Sequence, residues 1–338
     1  MVRNQTVEFG GVHVAPGERK TVDLEVARLF THNPMQIPIQ VINGRRSGPR
    51  LFVSAVIHGD EIIGVEIIRR LMNLKILRSI KGTLVAIPVL NVFGFTSQTR
   101  YLPDRKDLNR FFPGNESGSL TSRLADLLMT EVVQKCTHGI DLHSGTNHRE
   151  NLPQIRAYLE NEESLELANA FGAPVVMSAN LLEGSLRQAA HDANIPMLLY
   201  EAGEAHRFNE SYIKLAIKGI ISVMRSIGML PESRRRPKIH PLLSRSSTWV
   251  RAPISGIVSS KIKLGDRVAE GRPMGKVVDP YGEESSEIIS KADGVVVGRL
   301  NLPLVYRGDA IFHIARVDDA DSSDSTMEAY RQEFEPDN

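Results

Sequence analysis

Between residues 20 and 57 the apolar positions fall in short runs, 21–26, 38–42 and 51–57, separated by turn residues that include Asn43-Gly44. Runs of this length predict strands, and an Asn-Gly pair predicts a reversal between two of them. After Gly59 the spacing changes: Ile62, Ile63, Val65, Ile67, Ile68, Leu71 and Met72 follow the intervals of a helix with one broad buried face. A buried strand at 82–90, a helix at 119–136 and a strand at 139–143 come next. Two further strand and helix units lie around 165–176 and 186–200, and a helix at 210–227 closes the series. Alternation of this kind predicts an α/β fold, a sheet flanked by helices.

The texture breaks after residue 230. Residues 231–241 are polar, basic and punctuated by proline, with three consecutive arginines at 234–236, and predict a solvated linker running to residue 248. From 249 to 315 the chain becomes short β runs with glycine turns and carries an internal echo. Ile254-Ser-Gly-Ile-Val258 followed by Gly265-Asp-Arg-Val268 is similar to Ala292-Asp-Gly-Val-Val296 followed by Gly308-Asp-Ala-Ile311. Two similar halves predict a small all-β barrel or sandwich. The stretch resembles biotinyl/lipoyl-like modules, but the hairpin region at 279–286 holds no lysine, so no prosthetic group is expected. Residues past 317 are acidic, rich in serine and poor in apolar side chains, and are expected to be mobile. The expected plan is a catalytic domain at 1–230, a linker at 231–248, a small β domain at 249–317 and an acidic flexible tail at 318–338.

Composition narrows the function. With 41 Lys+Arg against 40 Asp+Glu in 338 residues, 6% aromatics and one Trp, the chain has neither the charge nor the stacking surface of a nucleic-acid binder. Cys136, the only cysteine, can form no intrachain disulfide and no thiolate metal cluster. The first residues lack a basic start followed by an apolar stretch, and no run approaches the roughly 18 apolar residues of a membrane span. A cytoplasmic protein that makes no membrane contact is expected.

The chemistry concentrates where apolar runs stop. His58-Gly-Asp-Glu61 stands between a buried strand and a helix, the place where open α/β sheets put their ligands. A histidine and a glutamate three residues apart can aim an imidazole nitrogen and a carboxylate at one point. Alone, the pair reads equally as a helix-start carboxylate beside a structural histidine. His143 closes the strand at 139–143 in the same way and supplies a third ligand. Asp141, on the same side of that strand, can orient the imidazole of His143 or act as a turn carboxylate. The run 195–200 leads into Glu201-Ala-Gly-Glu204, and Glu201 is the candidate general base and acid, with Glu204 as fallback. In the polar segment 99–112, Arg100, Asn109 and Arg110 can hold a carboxylate and polarise a carbonyl. There is no Gly-x-Ser-x-Gly elbow, no P-loop and no His-Glu-x-x-His helix. The remaining histidines read as surface or structural residues, with His148 and His206 near the expected mouth. Arg156 reads as a surface arginine or as a reader of a substrate carboxylate.

The ordered set His58-x-x-Glu61, Asp107-Leu-Asn-Arg110, Asp141-Leu-His143 and Glu201-Ala-Gly203 resembles the succinylglutamate desuccinylase/aspartoacylase family, relatives of the zinc carboxypeptidases, over roughly residues 51–228. The resemblance implies a carboxypeptidase-like mixed sheet flanked by helices and one zinc per chain held by His58, Glu61 and His143. It implies further that Glu201 activates water, that Arg100 polarises the scissile carbonyl and that Asn109 and Arg110 bind the substrate carboxylate. The loop between Thr99-Arg-Tyr and Asp-Leu-Asn-Arg is longer than the family pattern, which leaves Arg105 as a competitor of Arg100. The expected activity is hydrolysis of the amide of an N-acyl amino acid or related small acylated amine. A carboxypeptidase acting on a short peptide and a non-catalytic metal-containing binding protein are the alternatives. The small β domain is free to shape the entrance, to meet a partner or to make a homo-oligomer contact.

Overall fold

The apolar runs build one thirteen-stranded mixed sheet in the computed structural model, which describes residues 2–233, 239–317 and 320–334. At its centre Arg46–Ala55 lies between Lys81–Ile87 and His138–Gly145, parallel to both, and Met197–Glu204 continues the parallel set beyond His138–Gly145. Lys81–Ile87, His138–Gly145 and residues 51–55 are buried almost throughout on both faces, as a parallel core requires, while residues 46–50 are exposed or half-buried. Pro34–Asn43 and Arg19–Arg28 extend one edge antiparallel. Helices Ile63–Leu71, Glu162–Phe171 and Glu210–Ser226 pack into one apolar cluster against the sheet, and Leu120–Glu131 and Leu186–Asp192 pack into a second. A sheet flanked by helices is what the alternating pattern predicts, and its mixed character is what the family resemblance implies.

One strand was not apparent in the periodicity. Arg149–Ala157 runs antiparallel to Met197–Glu204, and Pro153 lies within it, which argues against a strand when only the chain is read. The fold accommodates the proline at an irregularity: pairing shifts register between Glu201↔Gln154 and Gly203↔Asn151.

The small β unit is not separated from the N-terminal α/β unit by a break in the sheet. Gly294–Leu300 pairs antiparallel with Arg149–Asn151, so the main sheet runs on into Ala310–Ala315 and Ser247–Arg251. A four-stranded sheet, Gly256–Ser259, Pro273–Val278, Ser285–Ile289 and Leu304–Val305, faces that extension around a core that includes Val250, Val277, Ile288, Val296 and Ile314. The internal echo has a backbone counterpart. Gly256 and Gly294 both adopt φ +154°, and a Cβ on either would lie 2.4 or 2.0 Å from the carbonyl oxygen of Val278 or Ala315. Only glycine lets the strands approach so closely.

Two expectations for connecting segments change. Part of the linker is structured, since Leu242–Ser244 pairs parallel with Val175–Ser178; the arginine run falls in 234–238, outside the described residues. Within the expected mobile tail, Ala320–Phe334 is a helix. Its apolar content is low, but Met327, Tyr330 and Phe334 fall on one face and join the main core, with Tyr330 stacked on Phe334. Tyr330 is 1% exposed, so Tyr330→Ala is expected to cost about 3 kcal/mol or more. A denaturant midpoint equal to wild type would show that the helix contributes no stability. Burial pushes the Cys136 thiol up to about 12, leaving it an inert core residue. Among the described residues no helix is long and apolar enough to cross a membrane.

Candidate active site

Strand register assembles the site. Ser54 pairs with Asp141 and Ala55 with Leu142, while Glu201 lies directly across from His143 on the next strand, so residues distant in sequence meet at one end of the parallel core. The turn that carries His58 is unusual: Val56 adopts φ +59°, unfavourable for a β-branched residue. Backbone bonds from Leu90 N to Ala55 O and Asn91 N to Val56 O, 3.0 and 2.9 Å, hold it there. Gly59 then passes so close to a neighbouring loop that a Cβ would lie 2.0 Å from Gly94 C and 2.3 Å from Thr99 O. That contact brings the loop carrying Arg100 to the metal-type ligands.

His58, Glu61 and His143 are 4%, 2% and 4% exposed, and one donor atom from each falls within 4.8 Å of the others. The Nδ1 atoms of His58 and His143 contact the two oxygens of Glu61 at 2.7 and 2.8 Å. Each outer nitrogen meets a carboxylate: His58 Nε2 lies 3.1 Å from Asp107 Oδ1, and His143 Nε2 lies 2.7 Å from Asp141 Oδ2. Asp141 is held in turn by a 2.8 Å hydrogen bond from the Ser54 hydroxyl. Two imidazoles and a carboxylate converging, with each imidazole oriented from behind by a carboxylate, form a donor set suited to zinc.

The same contacts shape the electrostatics of the cluster. Burial alone would raise the Glu61 carboxyl, but His58 and His143 outweigh it and hold the group far below the usual carboxylate range. Burial would lower both histidines, yet Glu61 with Asp107 raises His58, and Asp141 with Glu61 raises His143 well above its ordinary value. Asp107, which the motif contained without a role, is held low mainly by His58 and Arg100 against the cost of its own burial.

A cleft of about 330 Å³ opens on these residues, and Arg100, Asn109, Arg110, Arg156 and Glu201 line it too. Arg100 donates to Glu61 Oε1 at 3.0 Å and to Asp107 Oδ2 at 3.1 Å. Arg105 is exposed at φ +61° and does not reach the lining, so the geometry puts Arg100 at the cleft. Asn109 Oδ1 accepts from Leu186 N at 2.9 Å, which ties the loop to the start of the 186–192 helix and leaves the amide nitrogen of the side chain for a ligand. Glu201 receives a 2.6 Å bond from Asn151 Nδ2, and Arg156 Nε lies 2.8 Å from its other oxygen. Glu204 stands outside the lining: it accepts from His148 N at 3.0 Å and Asn301 Nδ2 at 2.9 Å, pinning the rim to the C-terminal β unit.

That unit supplies two lining residues no motif pointed to, Trp249 and Arg299. Trp249 stacks on buried His313 at 4.2 Å, with the Arg149 guanidinium 5.4 Å from the Trp249 ring centre. Only their place in an extended sheet brings them here. His138 is structural, bridging Thr137 and Glu163.

The comparisons with known proteins concern the family and the fold. Residues 47–227 match the succinylglutamate desuccinylase/aspartoacylase catalytic domain. A curated relative, the N-alpha-acetyl-L-2,4-diaminobutyric acid deacetylase of Halomonas elongata, is 26% identical over 296 residues, 84% of this chain and 86% of the relative. Among solved structures, a succinylglutamate desuccinylase/aspartoacylase from Rhodobacter sphaeroides superimposes with a TM-score of 0.79 at 24% identity, covering 89% of this chain and 96% of that one. The product-bound ectoine utilization protein EutE (DoeB) of Ruegeria pomeroyi gives 0.80 at 22% identity, over 88% and 95%. With the matched domain spanning more than half of its length and containing His58, Glu61, His143 and Glu201, this chain belongs to the succinylglutamate desuccinylase/aspartoacylase family.

Proposed function

We propose that this protein is a zinc-dependent deacylase that hydrolyses the amide of an N-acyl amino acid or a related small acylated amine, with one zinc per chain held by His58, Glu61 and His143. The observation that carries the reading is the convergence of those three donors within 4.8 Å, in a cleft that also contains Glu201. The deacetylase relative, which acts on an N-acetylated amino acid, supports the same bond class. When bound, zinc supplies Lewis acidity, which polarises a carbonyl and makes water a usable nucleophile near neutral pH.

The chain's own residues do the rest. Glu201 removes a proton from the attacking water and returns it to the nitrogen that leaves. Arg100 uses two of its five N–H donors on Glu61 and Asp107, and those bonds fix the guanidinium at the cleft with donors left for the carbonyl oxygen as charge develops there. Asn109 and Arg110 hold the substrate carboxylate. Trp249 and Arg299 put the carboxypeptidase-like catalytic unit and the biotinyl/lipoyl-like β unit on one cleft, giving the latter a role at the entrance. A cleft of about 330 Å³ has room for a small acylated amino acid. Glu201, placed as a base beside the ligands, weighs against a non-catalytic binding protein.

The test is elemental analysis of protein purified without added metal or chelator, followed by a screen of acylated amino acids. About one zinc per chain and amide hydrolysis are expected. No bound metal after exposure to excess zinc would overturn the reading.

A further inference from the structure

Glu201 and Asn151 meet because of one extra residue. Glu201 pairs with Gln154 across the antiparallel strand, and in an unbroken ladder Gly203 would then pair with Leu152. It pairs with Asn151 instead, so that Leu152 and Pro153 together stand opposite Ala202 alone. A bulge of this kind exchanges the two faces of the strand beyond it. Leu152 turns into the apolar core at 2% exposure, and Asn151 takes the place beside Glu201 that a leucine would have had.

The amide of Asn151 donates to Glu201 Oε1 at 2.6 Å, and among the described residues this is the only hydrogen bond that the Glu201 carboxylate receives. Arg156 Nε, 2.8 Å from Oε2, makes an ion contact without hydrogen-bond geometry, which attracts the group but does not set its rotation. A primary amide carries no titrating proton, so Asn151 holds the carboxylate without competing for the proton that Glu201 moves.

Space for that amide comes from the C-terminal β unit. Both residues paired with Asn151 are glycines, Gly203 on one strand and Gly298 on the other. A Cβ on Gly298 would lie 2.8 Å from Asn151 Oδ1 and 3.2 Å from His313 Cβ. The nearer atom is the tip of a side chain and not backbone, so the Asn151 amide would yield while the strand pairing survives. Asn151 is 6% exposed, which leaves a displaced amide little freedom to keep its bond. We infer that Asn151 is the positioning residue for Glu201 and that the β unit takes part in catalysis through it, the bare backbone at Gly298 letting the amide lie where it fixes the carboxylate for proton transfer. The inference rests on the deacylase reading, in which Glu201 moves that proton.

Zinc-loaded Asn151→Ala, Gly298→Ala and the double variant test it, with the acylated amino acid that wild type cleaves fastest as substrate. Asn151→Ala is expected to lower kcat by about 100-fold with KM within about 3-fold of wild type and zinc content unchanged, as for a carboxylate present but no longer aimed. Gly298→Ala should lower kcat by about 10-fold in the wild-type background and by less than about 2-fold once Asn151 is alanine, because it acts through a side chain already gone. Wild-type kcat in Asn151→Ala, or losses that simply multiply in the double variant, would overturn the inference. So would a loss of zinc that matches the loss of kcat, since it would make Asn151 a general support of the cleft. Crystal structures of wild type and Asn151→Ala give a readout that needs neither turnover nor a folded Gly298 variant. A Glu201 side chain that leaves its wild-type position in Asn151→Ala supports the inference even where no amide is cleaved, an outcome that counts against the deacylase reading alone. A Glu201 side chain that stays in place defeats the inference and leaves the deacylase reading standing.

Discussion

Glu201→Gln is expected to lower kcat by about 10³-fold or more while zinc content and unfolding midpoint remain close to wild type. The side chain sits across from His143 in register, and an amide of the same shape keeps the carbonyl oxygen that accepts from Asn151. It loses the ability to accept a proton and the ion pair with Arg156, which is partly solvated and worth little to stability. A chemical defect without a structural one separates proton transfer from metal binding and folding. Steady-state kinetics beside metal analysis reads both, and near wild-type turnover in Glu201→Gln would remove Glu201 from its role.

His143→Ala is expected to weaken zinc binding by about 100-fold or more and, unlike Glu201→Gln, to destabilise the protein. His143 contacts Glu61 on one side and Asp141 on the other, and Asp141 is 1% exposed. Without the imidazole the Asp141 carboxylate keeps only the Ser54 hydroxyl, so a buried anion loses its charged partner, an effect of about 3 to 5 kcal/mol when nothing relaxes. Asp141→Asn is the companion variant: it leaves all three ligands and should weaken zinc by about 10-fold to 100-fold. Titration of zinc into each protein, with unfolding followed in parallel, distinguishes the two. Wild-type zinc content in His143→Ala would take that residue out of the ligand set.

Both variants were reachable from the chain alone because the residues concerned each close an apolar run. A strand is recognised by its side chains, its end by the first polar group, and catalytic side chains of open sheets sit at those ends. For the same reason the helices are close to their expected spans, 62–72 against Ile63–Leu71 and 210–227 against Glu210–Ser226. The amphipathic period is a local property, and a helix closes its hydrogen bonds within itself.

What the chain alone left undecided depends on partners far away in sequence. Pro153 argues against a strand at Arg149–Ala157, and only the pairing with Met197–Glu204 shows that the proline falls at a shift in register. The place of Arg156 follows from that strand, as does the choice of Arg100 over Arg105 from the approach of Gly59 to Thr99. Trp249 and Arg299 reach the cleft because Gly298 pairs with Asn151 across almost half the chain. The helix Ala320–Phe334 exists because Met327 and Tyr330 find an apolar face to cover, which the acidic composition of the segment does not reveal. The sequence by itself determined the α/β class and singled out His58, Glu61, His143 and Glu201 as candidates, since apolar periodicity and the residues that interrupt it are encoded locally. The tertiary structure alone decided which cations surround Glu201 and which distant elements wall the cleft, because strand register and long-range packing are set by contacts between segments and not within them.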